Sequence, residues 1–373
     1  MTRVLFGDVV EIAKGISYRS SEYSDSEDGI AFVNLKSVAR GGGYNPDGIK
    51  YYAGQIRPNQ YVEAGDILIA NTDLTQNREI IGSPIIIPDI GRSACFSLDL
   101  SKITVTDTEV VDPRYLFYYL KSPIAREYML AHSNGSTVMH LSVKAVPNME
   151  LNLPPLYQQK KIADILGSLD EKIELNRRMN ETFEQLGQAL FRHYFVDNPE
   201  RGGWGKRSLG EFFPIKTGKK DANFGTKDGK FPFFTCAQTA SHAPSYSFDG
   251  SAILVAGNGD FNIKYYTGRF EAYQRTYVLM PYNEELLGFL YFLMKKDLSL
   301  ITGGSRGSVI KFITKGMIKN YKSLLPNDRE LVIIAPIFNE LLTSMSHNKE
   351  QIQTLTTLRD SLLPKLISGE IEI

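Results

Sequence analysis

The chain has 373 residues, enough for two or three domains. Apolar residues make up 42% and charged residues 23%, which excludes a disordered chain. Basic and acidic side chains number 42 each, so the net charge is zero. That excludes holding a polyanion by bulk charge alone, though not by a local basic site. Cys95 and Cys236 cannot make a disulfide framework and fit a reducing cytosol. The five histidines are scattered, without zinc-ligand spacing. No run reaches the roughly 18 apolar residues of a membrane span, and the N-terminal stretch, with Asp8 and Glu11 inside its first apolar run, does not read as a signal peptide. A cytoplasmic location with no membrane contact is expected.

In chain order, residues 1–153 carry strand-like runs at Ile30–Val33, Asp66–Ile69, Pro84–Ile87 and Lys102–Val105, separated by turn residues. Residues 113–131 read as an amphipathic helix. Lys14, Tyr18 and Arg19 follow the first element, and Ser133–Thr137 with His140 form a small polar loop. Residues 154–200 are a long run of helix formers opened by Pro154 and Pro155. Ile162, Ile165, Leu169, Met179, Phe183, Leu186 and Leu190 give it a 3-4 apolar seam, interrupted at Lys172 and Asn176. Such a helix would be about 60 Å long, which suits a coiled-coil spacer.

Residues 201–327 hold 18 basic and 9 acidic side chains, whereas each other segment is net negative. Such a basic segment suits a polyanion-facing domain, although an unevenly charged solvated face gives the same count. Lys219 and Lys220 precede a strand, and Ser305, Arg306 and Lys311 lie in and beside a glycine-rich loop able to clasp a phosphate. Strands at Ala252–Val255 and Thr276–Met280 and a helix near Glu284–Lys295 echo the first half. Most of the aromatics between Phe231 and Tyr277 are core. Residues 328–373 return to a long apolar-seamed helix, interrupted at Asn348. Pro336 marks either a kink in it or its true start.

The two long runs align at a constant offset of 172, with Ile162 on Ile334, Leu169 on Leu341, Asn176 on Asn348 and Leu190 on Leu362. Outside the helices, Gly135-Ser136 falls on Gly307-Ser308 and Pro154 on Pro326. Further upstream, Ile67–Ala70 resembles Ile253–Ala256 once gaps are admitted. The chain is therefore an internal repeat of domain and helix. A polar residue in an apolar seam fixes register, so Asn176 and Asn348 are the candidate register positions. They meet if the helices pair antiparallel about a pseudo-dyad, and need not meet otherwise.

Catalytic constellations are missing. There is no phosphate-binding glycine motif, and Leu153-Pro154-Pro155-Leu156-Tyr157 lacks the polar residue an amino-methyltransferase loop needs. Asp66, Asp73 and Asp89 lack the partners of a nuclease metal site. A non-catalytic protein-interaction scaffold without DNA specificity remains the alternative to a polyanion reader.

Two stretches carry a family resemblance. One is Leu153–Ala163 with Leu175–Thr182 and Ala189-Leu190-Phe191, and the other is Leu358–Ile371. They resemble the specificity subunit of type I restriction-modification systems. The resemblance implies an α+β chain with two pseudo-symmetric target recognition domains, residues 1–153 and 201–327. Two long antiparallel coiled-coil helices, residues 154–200 and 328–373, would separate them. It implies reading of a split double-stranded DNA target without a catalytic centre or cofactor in this chain. It also implies two modification subunits that use S-adenosylmethionine, and restriction subunits that use ATP and Mg2+. On that reading Lys14, Tyr18, Arg19, Lys219, Lys220, Ser305, Arg306 and Lys311 are candidate DNA contacts. Phe191, Phe195, Leu363 and Leu366 are candidate partner contacts on exposed helix faces.

Overall fold

A computed structural model describes residues 2–24, 29–305 and 311–373. The chain divides into two compact units, Met1–Lys172 with Thr354–Ile373, and Ile173–Gln353. Each unit takes part of both long helices, Leu156–Phe191 and Asp328–Ser368.

The first unit is built on an antiparallel four-stranded sheet. Its order is Val10–Lys14, Leu100–Val105, Ile67–Ala70, Pro84–Ile86. Ile67–Ala70 is buried along its whole length, as its unbroken apolar run requires of a central strand. A five-stranded mixed sheet lies beside it, and Thr2–Leu5 pairs with Glu150–Leu153 to close the unit. The expected single helix over 113–131 is two helices, Pro113–Lys121 and Pro123–Ala131. Pro123 forces extended backbone on Ser122, which then caps the second helix by accepting from the Ala125 N–H. Both helices pack into one apolar core with Ile162 and Leu166 of one long helix and Leu363 and Leu366 of the other.

The second unit repeats this plan. Ile215–Thr217, Thr276–Leu279, Phe248–Ala256 and Ile263–Ala272 stand in the order of their four counterparts, again antiparallel throughout. Phe231–Phe234 and Ser241–Ala243 extend the sheet. Gly205–Ser208 pairs with Lys322–Leu325, which is the 172-residue offset of Glu150–Leu153. The helix Leu287–Lys296 is buried along eight consecutive positions, Leu287 to Met294. Its Gly288 abuts the second long helix so closely that a Cβ there would lie 2.4 Å from the Phe338 carbonyl carbon. The Gly288 N–H donates to Asn339 Oδ1 at 2.6 Å across the same contact.

Within the second unit the two long helices run in opposite directions. Asn176 Nδ2 donates to Gln351 Oε1 at 3.0 Å, and Asn348 Nδ2 donates to Asn180 Oδ1 at 3.0 Å. Asn176 and Asn348 are both buried, yet each bonds a third amide and not the other. Within the first unit, Asp170 accepts from Arg359 at 2.6 Å and from the Tyr118 hydroxyl at 2.9 Å. The second long helix starts at Asp328 and runs through Pro336. The hydrogen bond that Pro336 cannot make belongs to the Val332 carbonyl, and both residues face water, which replaces the missing donor. The first long helix ends at Phe191, short of the expected 200, in a wider turn closed by Asp197 N–H on the Arg192 carbonyl. That turn brings Phe195 against Phe191, Phe289 and Phe338.

Gly288→Ala is expected to lower the melting temperature of the purified chain. Overpacking costs about 1–3 kcal/mol, and the helix-propensity gain of alanine offsets at most about 1 kcal/mol of it. An unchanged melting curve would show that the helices separate there at no cost.

Candidate nucleic-acid interface

In both sheets the strand directions gather the same loops at one end. In the first unit Lys14 pairs with Ser101, Leu100 with Ala70, and Ile69 with Pro84. The segments after Lys14 and Ala70 and before Leu100 and Pro84 therefore share one sheet end. In the second unit Thr217 pairs with Tyr277, Ala256 with Thr276, and Val255 with Ile263. The segments after Thr217 and Ala256 and before Thr276 and Ile263 share the corresponding end.

A glycine makes the same tight join in each. A Cβ on Gly15 would sit 2.1 Å from the Ser97 carbonyl oxygen, and one on Gly218 would sit 2.0 Å from that of Ala272. Only glycine lets the chain pass so close. Isolated parallel bridges, Ile16 with Ser97 and Lys220 with Tyr273, hold the segments that follow.

The candidate contacts distribute around these ends. Lys14 is exposed at its strand terminus and Arg19 is exposed just beyond. Tyr18 is half-buried, its ring edge-on to Tyr23 and Phe32 at 5.2 and 5.1 Å, so its face is committed to packing. In the second unit Lys219 is exposed, and Lys220 lies over the Phe224 ring at 4.3 Å while its carbonyl accepts from Gln274 N–H. Lys311 joins the same end, because its carbonyl accepts from Gly259 N–H and the adjacent Phe312 bridges Asn258. Ser305 follows the short helix Leu298–Thr302, and no described contact ties it to this end. Arg306 lies outside the described residues, as do Gly307 and Ser308.

Sequence reasoning missed three groups at these ends: Gln274 with Arg275, Asn258, and the run Gln76-Asn77-Arg78. The alignment of Ile67–Ala70 with Ile253–Ala256 contained the signal, because the residues after each strand fall at equivalent sheet ends.

The loop after Ala70 is held by a buried carboxylate. Asp73 is 1% exposed and accepts from the N–H groups of Thr75 and Ile80, both at 2.6 Å, and of Ile81 at 2.8 Å. Burial pushes its carboxyl up, but these bonds and the Thr75 hydroxyl outweigh it and hold the carboxyl below its ordinary range. Arg126 braces the loop from the other side, donating to the Ile81 carbonyl and Ser83 hydroxyl at 2.9 Å and to the Arg78 carbonyl. Burial pulls that guanidinium down, opposed by the charges of Asp73 and Glu79. Cys95 packs against Phe32 and Tyr52, its thiol pushed up to about 12 by burial, so it offers no nucleophile. Among the described residues no group of three or more His, Cys, Asp or Glu is placed to hold a metal ion. No described helix is long and apolar enough to cross a membrane.

The expected partner face needs correction. Phe191 and Phe195 are core residues of the second unit, and Leu363 and Leu366 are core residues of the first. Each is covered by its own unit's sheet and helices, because the long helices spend their most apolar stripe on that packing. The apolar side chains they leave exposed include Leu175, Met179, Leu186, Val332, Ile333 and Ile337.

This plan of duplicated sheets, each closed by stretches of two long helices, defines a protein of two modules built on one scaffold. The family model described as the type I restriction modification DNA specificity domain matches residues 2–185 and 201–357, and the chain belongs to that family. The chain is 44% identical over 172 residues to the EcoDI specificity subunit of Escherichia coli, covering 45% of this chain and 38% of that protein. It is 24% identical over 302 residues to the MjaIX specificity subunit of Methanocaldococcus jannaschii, covering 69% of each. The crystal structure of the S subunit from M. genitalium shares the fold, with a TM-score of 0.60, 18% identity, and coverage of 98% of this chain and 95% of that one.

The Asp73 linkage gives a pH test. Its folded pKa lies below the unfolded value of about 3.9, so its stabilisation is fully present above that value and is lost as pH falls through the folded pKa. The stability difference between the native chain and Asp73→Asn should be constant from about pH 5 to 8 and shrink below about pH 4. A difference that grows in acid would contradict the hydrogen-bonded carboxylate.

Proposed function

We propose that this chain is the specificity subunit of a type I restriction-modification complex and reads a split double-stranded DNA target, one half with each unit. One observation carries the proposal. Two sheets of the same strand order gather the basic candidates, Lys14 and Arg19 in one and Lys219, Lys220 and Lys311 in the other, at the same end. Ser305, Arg306 and the Tyr18 hydroxyl remain candidates at the margin of those contacts. Pseudo-symmetric recognition domains at residues 1–153 and 201–327, with coiled-coil spacer helices at 154–200 and 328–373, complete the proposed assignment.

The chemistry follows from the side chains. Lysines on loops neutralise phosphates and set position, while amide and guanidinium groups read base edges in the major groove. The second domain, with twice as many basic as acidic side chains, contributes most of the salt-dependent affinity. The first is acidic overall and depends more on base-edge contacts. The chain carries no catalytic group or cofactor. Two modification subunits bring S-adenosylmethionine and flip the target adenine, and restriction subunits bring ATP and Mg2+. The exposed apolar residues of the long helices, Leu175, Met179 and Leu186 among them, are the surface the modification subunits cover. The complex acts in the cytoplasm.

The test is co-expression with the neighbouring modification subunits in a host lacking adenine methylation, followed by mapping of methylated adenines. A two-part motif with an unspecified gap is expected, and a continuous motif would contradict two separate readers. Exchanging residues 201–327 for those of a relative should change one half of the motif only. Deleting one heptad from each long helix should change the gap and leave both halves intact.

A further inference from the structure

We infer that the loop 74–79 of the first unit is a preformed base-reading element, with Gln76, Asn77 and Arg78 as its readers. The inference rests on the DNA-reading proposal and goes beyond it by naming a determinant. The loop is unusual in being exposed at its rim and rigid at its base. Leu74, Gln76, Asn77 and Arg78 are exposed, and the side chains of Gln76, Asn77 and Arg78 have no partner among the described residues. Beneath them the backbone is held at several points. Asp73 takes the N–H groups of Thr75, Ile80 and Ile81, and the Thr75 hydroxyl takes that of Glu79. Arg126 takes the carbonyls of Arg78 and Ile81, and Gly41 N–H donates to the Glu79 carbonyl.

Such bracing is costly for an ordinary surface turn. It buries a carboxylate and much of a guanidinium, which is unfavourable unless their bonds are complete. Arg78 also holds φ at 56°, in the left-handed region, and is the one non-glycine residue to do so among those described. A solvated turn would place glycine or asparagine there. Arginine at that strained position trades backbone energy for a fixed side-chain direction.

The three side chains match the chemistry of base edges. Arginine bonds guanine in bidentate fashion, and asparagine and glutamine bond adenine the same way. A loop already held in place loses little conformational entropy on binding. The charge around it also permits approach to a phosphate backbone, because the one acid of the loop, Glu79, is paired with Arg40 at 3.3 Å. The small sheet below extends the surface. Thr72 and Asp73 pair with His140 and Met139, whose hairpin partner is Ser133–Asn134, so the polar hairpin emerges beside Leu74. The second unit carries Gly257-Asn258-Gly259-Asp260 at the equivalent place, with no arginine or glutamine. The two units therefore present different readers from the same scaffold position.

The experiment uses the full chain with its modification subunits and maps methylated adenines genome-wide. Arg78→Ala should relax one base pair in one half of the motif, reducing discrimination there by roughly 5- to 100-fold. The triple variant Gln76→Ala/Asn77→Ala/Arg78→Ala should relax further positions of that half and leave the other half unchanged. Its melting temperature should match the parent's, because these exposed side chains make no hydrogen bond or ion pair among the described residues. A fall of more than about 2 °C would make them structural and overturn the inference. Both halves keeping their stringency in the triple variant would overturn it and leave the DNA-reading proposal standing. Methylation lost evenly from all sites would assign the loop to phosphate binding and also overturn it. Absence of any two-part motif with the unaltered chain would instead sink the DNA-reading proposal, and the loop inference with it.

Discussion

A polar group buried in an apolar helix seam costs free energy unless its bonds are complete, and that constraint fixes this structure. Asn176, Asn180, Asn348 and Gln351 meet it by bonding one another between the two long helices of the second unit. Asn180 Nδ2 also reaches the Met345 carbonyl. Sliding one helix by a residue would strand several of these amides, each at about 1–3 kcal/mol. In the first unit Asp170 plays the same part with Arg359 and Tyr118. The polar contacts contribute little net stability beside the aromatic and aliphatic cores. They select one register out of several that the apolar stripes alone would tolerate.

That register determines where each sheet lies on its helices. In the second unit Glu184 accepts from the Tyr291 hydroxyl and pairs with Lys295, tying the helix Leu287–Lys296 to the first long helix. Gly288 and Phe338 tie it to the second. The sheet packs on that helix, and the loops at the end of the sheet inherit its position. The repeated strand order and the repeated glycine joins at Gly15 and Gly218 belong to the scaffold. The loops at these sheet ends differ between the units, and exposed side chains there can vary without disturbing the core. On the proposed function, a duplicated scaffold with divergent loops would read two different half-sites with one structural solution.

Much of this was legible in the sequence because it obeys simple periodicities. The 3-4 apolar spacing and the asparagines at the 172-residue offset identified both long helices and the repeat. The apolar runs Ile67–Ala70 and Ile253–Ala256 marked the central strand of each sheet. Side-chain direction on the helices was not legible. Phe191 and Leu366 sit on helices that bury one face against a sheet and expose another, and which face is buried depends on tertiary packing. Reading residues 113–131 as one helix left Pro123 out of account, although it forces extended backbone on Ser122 and so divides the run. The loop 74–79 was overlooked because Asp73 was weighed only as a metal ligand. Its actual partners are backbone N–H groups, which carry no signature in side-chain spacing.

The sharpest test of the account is photo-crosslinking of the full complex to DNA carrying the mapped motif, with the crosslinking residue placed in turn at four positions. Lys14 and Lys219 lie at the loop end of their sheets, and Asp107 and Tyr282 follow the opposite end. The expected result is crosslinking from Lys14 to one half of the motif and from Lys219 to the other, with none from Asp107 or Tyr282. Crosslinks from Asp107 or Tyr282, or from Lys14 and Lys219 to the same half, would contradict two readers that use the same end of a repeated sheet.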